Sequence, residues 1–451
     1  MPDWDALHWD ALRSELVGDV VVPDSPDYEA VRRPAMSRFH DVRPAAIVRC
    51  ATPTDVVRTL SFVRRAGLPL AIRSGGHCFA GRSSTEGVVL DVSPMDSVGL
   101  DGDLATIGAG ARLGDVYAAL SASQRTIPAG CGATVGIAGL TLGGGIGILG
   151  RRYGLTADRL LGAQVVLADE RVVDCDDAHD ADLFWALRGA GGGRFGVVTS
   201  LRFATVPARG ATAFALTWPP AAATSVISAW QQRAPLAPDE LAASLLVSVV
   251  GGQPLRVGVF GAMQGSEADA RQQLDEVAAR VHHSPASATF IYDGRTKQHL
   301  AEIGDRIRGA DTGQLVSRSE FFERALPADA ITDLVDGLTH ELPSGQSREL
   351  DFSPMGGAYN RVAPSTTAFV HRQDSFLLKQ EVGVASGDPT REALGWLAQS
   401  WSTAHRYGTG RAYQNFPEPD LDSWAPAYFG PNRDRLLDIK RRYDPEARFD
   451  A

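Results

Sequence analysis

Five consecutive residues, Arg73-Ser74-Gly75-Gly76-His77, mark a place where chemistry could be done. Two glycines let the backbone turn tightly and gather several N–H groups, which suits a pyrophosphate, while the next residue projects into the same space. A histidine there serves as a ligand, a base or a covalent anchor, or is a plain loop histidine. A second glycine system runs from Gly130 through Cys131, Thr134, Val135, Gly136, Gly139, Gly143, Gly144 and Gly145 to Gly147. Without side chains, its backbone can lie directly against a flat ring or a diphosphate. Gly145-x-Gly147-x-x-Gly150 and Gly191-x-Gly193-x-x-Gly196 both fit the dinucleotide fingerprint. Neither directly follows a hydrophobic strand, so both read as coincidences rather than a Rossmann turn.

Composition narrows the classes. At 451 residues the chain exceeds one comfortable core, and two lobes sharing a site are expected. A net charge of −10 excludes nucleic acid and anionic membrane as main partners. Cys50, Cys78, Cys131 and Cys175 form no C-x-x-C pair and no cluster with histidine, so neither a metal site nor a disulfide framework is indicated. Met1–Asp10 carries acids and no apolar run, and none follows Arg32-Arg33, so the expectation is a cytoplasmic protein without a secretory leader. Thr126–Gly150 holds 25 uncharged residues, but nine are glycine, which fits a buried ligand-facing loop better than a membrane span.

The elements that must position these loops follow from periodicity. Ala45–Cys50 reads as a strand, Thr52–Asp55 as a cap, Val56–Ala66 as an amphipathic helix ended by Gly67, and Leu68–Arg73 as the strand that delivers His77. Strands at Gly87–Val92 and Ala105–Gly108, a helix at Leu113–Ser121, a hairpin of Ala163–Ala168 with Arg171–Asp174, and a helix at Asp180–Arg188 complete an alternating α/β first lobe. From about residue 208 the pattern changes to longer strands: Ala213–Thr217, Ser244–Val250, Arg256–Gly261, Glu349–Phe352 and Phe376–Glu381. Helices at Ala268–Val281 and Ala328–Thr339 separate them, giving an antiparallel sheet flanked by helices. An aromatic-rich tail follows Thr409 and ends in a helix, Asn432–Arg442, which predicts a docked segment. The fold class is α+β, with a first lobe over 1–207 (core about 40–207), a second over 208–400, and a tail, 401–451, that returns to the first.

Pro44–Thr54, Arg73–Gly81, Val88–Asp91, Thr134–Gly147 with Tyr153–Asp158, Asp182–Ser200, Gly356–Tyr359, and a tail carrying Tyr413-Gln414-Asn415, Tyr428-Phe429-Gly430 and Tyr443-Asp444-Pro445 occur in one order along the chain. In that order the chain resembles the berberine-bridge-enzyme-like branch of the FAD-linked oxidases, which share the fold of vanillyl-alcohol oxidase and p-cresol methylhydroxylase. The resemblance implies a two-lobed, PCMH-type FAD-binding domain, with the tail helping to hold FAD and the middle lobe covering the flavin ring. It puts His77 at the position of covalent attachment to the C8 methyl carbon, where alkylated imidazole raises the flavin potential. It further implies cofactor contacts from Arg73, Ser74, Gly75, Gly76, Gly130, Thr134, Val135, Gly136, Gly139, Gly143, Gly144, Gly145, Gly147, Asp158, Gly196, Val197, Tyr413 and Asn415. The family's second tether, a cysteine, falls on Gly132 here, one residue after Cys131. A singly linked flavin, as in members of 6-hydroxy-D-nicotine oxidase type, is therefore expected, with Cys131 either a buried inert thiol or a second link through flavin C6.

The implied reaction moves a hydride from a small alcohol, lactol or amine to the flavin while an O–H or N–H proton leaves. Tyr413 matches the family's active-site tyrosine, with Arg411 nearby in sequence. Tyr359 and Asp351 are further candidates for the proton, and His371-Arg372 is expected to satisfy internal hydrogen bonds. Val135, small and apolar, matches a position that leaves room for O2. That makes an oxidase releasing H2O2 the expectation, and a dehydrogenase or oxidative cyclase of secondary metabolism the alternative.

Overall fold

The computed structural model describes residues 9–294, 314–385, 390–418 and 424–449. Most of the leader reading therefore lies outside the described residues. Helix Pro53–Ala66 shows why its sequence folds as it does: Thr52 Oγ1 accepts from Asp55 N at 3.1 Å and the Asp55 carboxylate accepts from Thr52 N at 3.2 Å, a reciprocal cap. Gly67 ends it at φ 63°. Asp55 also accepts from Val17 N, Gly18 N and Ala51 N, so one carboxylate ties the N-terminal segment to this helix.

Two main sheets and a two-stranded ribbon, Arg125–Thr126 with Val206–Pro207, make the first lobe. Asp19–Val21, Ala46–Arg49, Val88–Asp91 and Leu70–Arg73 lie in that order, the last three mutually parallel. The second sheet, ordered Val98–Asp101, Leu104–Gly108, Val197–Ala204, Leu160–Val166 and Val172–Cys175, is antiparallel throughout, so the alternating α/β expectation holds only for the first. Its central strand, Val197–Ala204, was not predicted, and the strand expected at Ala163–Ala168 spans Leu160–Val166. The glycine-rich run holds a six-residue helix, Ile137–Leu142, and among the described residues no helix is long and apolar enough to cross a membrane.

The middle of the chain forms one seven-stranded antiparallel sheet. Its order is Ser287–Asp293, Ala211–Trp218, Arg256–Met263, Leu241–Val250, Gln346–Pro354, Phe376–Val384 and Gln314–Phe322. The five predicted strands are all present and longer than expected; the two edge strands were missed. Helices Ala223–Arg233, Glu267–Ala278, Ala328–Thr339 and Arg391–His405 pack on one face, burying Leu350, Phe352, Phe376 and Leu378. Because strand side chains alternate, Asp351, Ser353, Leu377 and Lys379 point to the opposite face. That alternation decides which residues meet the first lobe.

The tail docks as expected. Its final helix, Arg433–Tyr443, and the shorter Trp424–Phe429 add Ala427, Tyr428, Leu436 and Ile439 to the first lobe's core, and Phe449 joins it from the segment beyond, where each large apolar side chain contributes about 1.5–3 kcal/mol.

Candidate active site

The two glycine systems meet backbone to backbone. A Cβ on Gly75 would lie 2.2 Å from Gly136 N, and one on Gly136 would lie 2.2 Å from Ser74 Oγ. Ser74 Oγ donates to Ala109 O at 2.7 Å, pinning the same loop from below. Among the described residues, the N–H groups of Gly76, His77 and Cys78 find no partner in the chain, leaving donors together as an anion would need. Arg73 differs from expectation: its buried guanidinium donates to Ser83 O, Val31 O, Arg32 O and Ser84 Oγ, so it clamps the loop instead of walling the site.

Beside this junction lies a cavity of about 710 Å³, walled by both lobes and the tail. Ser74, Gly75, Gly76 and His77 line it, as do Gly130, Cys131, Val135, Gly136, Gly139, Gly147 and Gly196. A Cβ on Gly139 would meet nothing within 4 Å, and those on Gly191, Gly192 and Gly193 would come no closer than 3.4, 3.7 and 3.8 Å to other atoms. These four glycines open the wall to a flat group, and the structure therefore fits a ring-bearing cofactor. The Gly191–Gly193 stretch, set aside as a chance fingerprint match, is part of that wall; its three successive glycines were the signal.

Other expected contacts fall elsewhere. Gly143, Gly144 and Gly145 are glycines because Asn415, Phe369 and Thr156 crowd them, with a Cβ on Gly143 only 2.1 Å from Asn415 Oδ1. Val197 is a buried strand residue paired with Val166. Asp158 makes a two-pronged pair with buried Arg372, at 2.6 and 2.8 Å, and so joins residues distant in sequence behind the wall. His371, beside it, is buried and stacked on Phe321 at 4.1 Å.

His77 Nε2 and Thr134 Oγ1 are 3.0 Å apart. Burial pushes the imidazole below its usual range, helped by the Arg112 guanidinium and opposed by a hydrogen bond to the Thr134 backbone, so the ring is neutral at pH 7. Cys131 is exposed on the cavity wall, which corrects the expectation of a buried thiol.

The three candidate proton carriers have different surroundings. The Tyr413 ring lines the cavity, but its oxygen accepts from Gly145 N, Ile146 N and Asn415 Nδ2 at 3.0–3.1 Å. Burial raises its pKa in spite of those donors. Arg411 pairs with Glu323 and Asp374 at 2.7 and 3.4 Å, away from this oxygen. Tyr359 is fully engaged: its hydroxyl accepts from Gly147 N at 3.0 Å and donates to Gly147 O at 2.7 Å, and burial pushes its pKa up. Asp351 remains, with its carboxylate 4.0 Å from Lys379 Nζ, directly across the strand pair. Lys379, which sequence reasoning missed, also bonds Glu381 at 3.0 Å and lies over the rings of Phe79 and Phe416 at 5.9 and 5.6 Å.

Residues 44–176 match the FAD binding domain family, and residues 412–451 match the family described as berberine and berberine like. The FAD-linked oxidoreductase YgaK of Bacillus subtilis is 32% identical over 449 residues, covering 97% of this chain and 96% of that one. The (R)-6-hydroxynicotine oxidase of Paenarthrobacter nicotinovorans is 30% identical over 463 residues, with 96% and 95% covered. Among solved structures, glucooligosaccharide oxidase from Acremonium strictum, which carries a 6-S-cysteinyl, 8α-N1-histidyl FAD, superposes with a TM-score of 0.85 at 25% identity over 98% of this chain and 97% of that one. Likeness at this level along nearly the whole of both chains, over a cavity shaped for a flat cofactor, makes the protein a member of the berberine-bridge-enzyme-like FAD-linked oxidoreductases, an enzyme that works with FAD.

Proposed function

We propose that the protein is an oxidase that removes a hydride from an alcohol, lactol or amine carbon of a small organic molecule, with FAD tethered at His77 and dioxygen as final acceptor. The observation that carries this is the shared cavity in which the glycine wall, His77 and the Asp351–Lys379 pair face one another. FAD, when bound, supplies the two-electron acceptor for the hydride. Asp351 takes the O–H or N–H proton, because its carboxylate lines the cavity while the two tyrosine hydroxyls are committed to backbone groups. Lys379 holds that carboxylate in place, and Tyr413 positions Asn415 and the turn at Gly145-Ile146. Val135 on the wall leaves room for O2. Relatives named for hydroxynicotine and for glucooligosaccharides support a small-molecule substrate. A cytoplasmic setting, in secondary metabolism or catabolism, belongs to the same proposal.

The test is a panel of sugars, aromatic alcohols and cyclic amines assayed by oxygen electrode and peroxide detection. Oxygen uptake matched by hydrogen peroxide for one class is the expected result. A substrate that bleaches the flavin without air, followed by no reoxidation in air, would make the protein a dehydrogenase.

A further inference from the structure

We propose that Thr134 prepares His77 for its bond to the flavin, by accepting a hydrogen bond from Nε2–H and thereby leaving Nδ1 as the nucleophile. This rests on the reading that FAD is tethered at His77. A neutral imidazole has one N–H and one lone pair, and the partner of one nitrogen sets the role of the other. The 3.0 Å contact between His77 Nε2 and Thr134 Oγ1 is such a partner. With the proton on Nδ1 instead, that nitrogen would have no lone pair for carbon.

Both ends of this contact are held. Thr134 lies on a turn closed by Val135 N donating to Gly132 O at 3.1 Å. Ala133 O and Val135 O accept from Gly114 N and Leu113 N at 2.9 and 3.0 Å, which fixes the turn to the start of helix Leu113–Ser121. His77 follows the loop locked by the Gly75–Gly136 backbone contact. Thr134 itself does not wall the cavity; its hydroxyl reaches the site only through the imidazole. It is a positioning residue.

The step balances as follows. A C–N bond forms between Nδ1 and the methyl carbon on C8 while one methyl C–H bond breaks. That hydrogen and the former Nε2 hydrogen leave as protons. The two electrons of the C–H bond pass through the ring to dioxygen, which with two protons becomes hydrogen peroxide. Nε2 is then a bare acceptor, and the Thr134 hydroxyl can rotate to donate to it. A hydroxyl serves both states, and valine serves neither.

The experiment uses full-length apoprotein in a Cys131→Ala background, so that a second link cannot mask the first. FAD is added in air, and covalent FAD is followed by intact mass after acid denaturation, alongside reversible FAD binding by fluorescence and melting temperature. Thr134→Val is expected to bind FAD reversibly yet attach it about two- to tenfold more slowly, the worth of one hydrogen bond. Thr134→Ser is expected to restore the rate, and His77→Ala to abolish attachment. Attachment by Thr134→Val at the parental rate, or equal slowing in a well-folded Thr134→Ser, would overturn the role of Thr134. FAD mass retained in His77→Ala would instead overturn the tether itself, and this proposal with it.

Discussion

Asp351 and Lys379 sit directly opposite each other on adjacent strands, so this charged pair is a product of register. Asp351→Asn keeps the shape and loses the base; flavin reduction by substrate should slow by about 10²–10⁴-fold with FAD content unchanged. Stopped-flow measurement at one saturating substrate concentration decides it, and an unaltered rate would remove Asp351 from the chemistry. Lys379→Met takes from both Asp351 and Glu381 the ammonium with which each pairs. Its kcat/KM should fall about tenfold or more, with Lys379→Arg recovering part of the loss. Tyr413→Phe strips an acceptor from three donors at once, two of them backbone. A loss of about 1–3 kcal/mol in denaturant unfolding is expected, larger than its effect on the rate of reduction.

The tail segment closes the edge of the seven-stranded sheet, which would otherwise offer unpaired backbone groups. Thr409 N donates to Phe321 O, Phe321 N to Arg411 O, and Tyr413 N to Ser319 Oγ, all at 2.9–3.0 Å, while Glu418 accepts from Ser319 N at 3.1 Å. Burial raises the Glu418 pKa from 4.5 to about 7, partly offset by Ser319 N–H and the Arg318 guanidinium. Between those two values the folded protein keeps a proton that the unfolded chain has lost, so stability falls as pH rises through that window. The loss is on the order of 3 kcal/mol, at about 1.4 kcal/mol per pH unit. Glu418→Gln should flatten the pH dependence of the melting temperature between pH 5 and pH 8, and an unchanged slope would show that the carboxyl is not protonated in the fold. At the glycine junction, Gly75→Ala or Gly136→Ala forces a methyl group into backbone atoms and should cost a few kcal/mol or prevent soluble expression.

The same elements explain what was legible in the sequence. Helix Pro53–Ala66 and strand Leu70–Arg73 were readable because cap, period and stop lie within a few residues. So were the five inner strands of the large sheet, through their alternation. The large sheet's two edge strands and the central strand Val197–Ala204 were not, because their mixed polar and apolar residues keep no steady period of two. Motif matches gave the right loops but not the direction of each side chain: Arg73 and Asp158 turn inward to bind protein groups, and the Tyr359 hydroxyl is spent on Gly147. Lys379 escaped notice because nothing local distinguishes it; only its register with Asp351 does.

At the scale of the molecule, the lobes are held by buried polar locks. Arg151 donates to Pro235 O, Met355 O and Ala237 O, and Arg372 grips Asp158. Breaking one partner of such a pair leaves an uncompensated buried charge, so Asp158→Asn should cost about 3–5 kcal/mol, read by chemical denaturation. A cost below 1 kcal/mol would mean that water reaches Arg372. The cavity draws on both ends of the described chain, for Ser74 and Phe449 share its wall. A ribosome adding about 5–20 residues per second makes these two residues roughly 20–75 s apart. The finished wall, with every residue that lines it, therefore exists only once the last of the tail has left the ribosome.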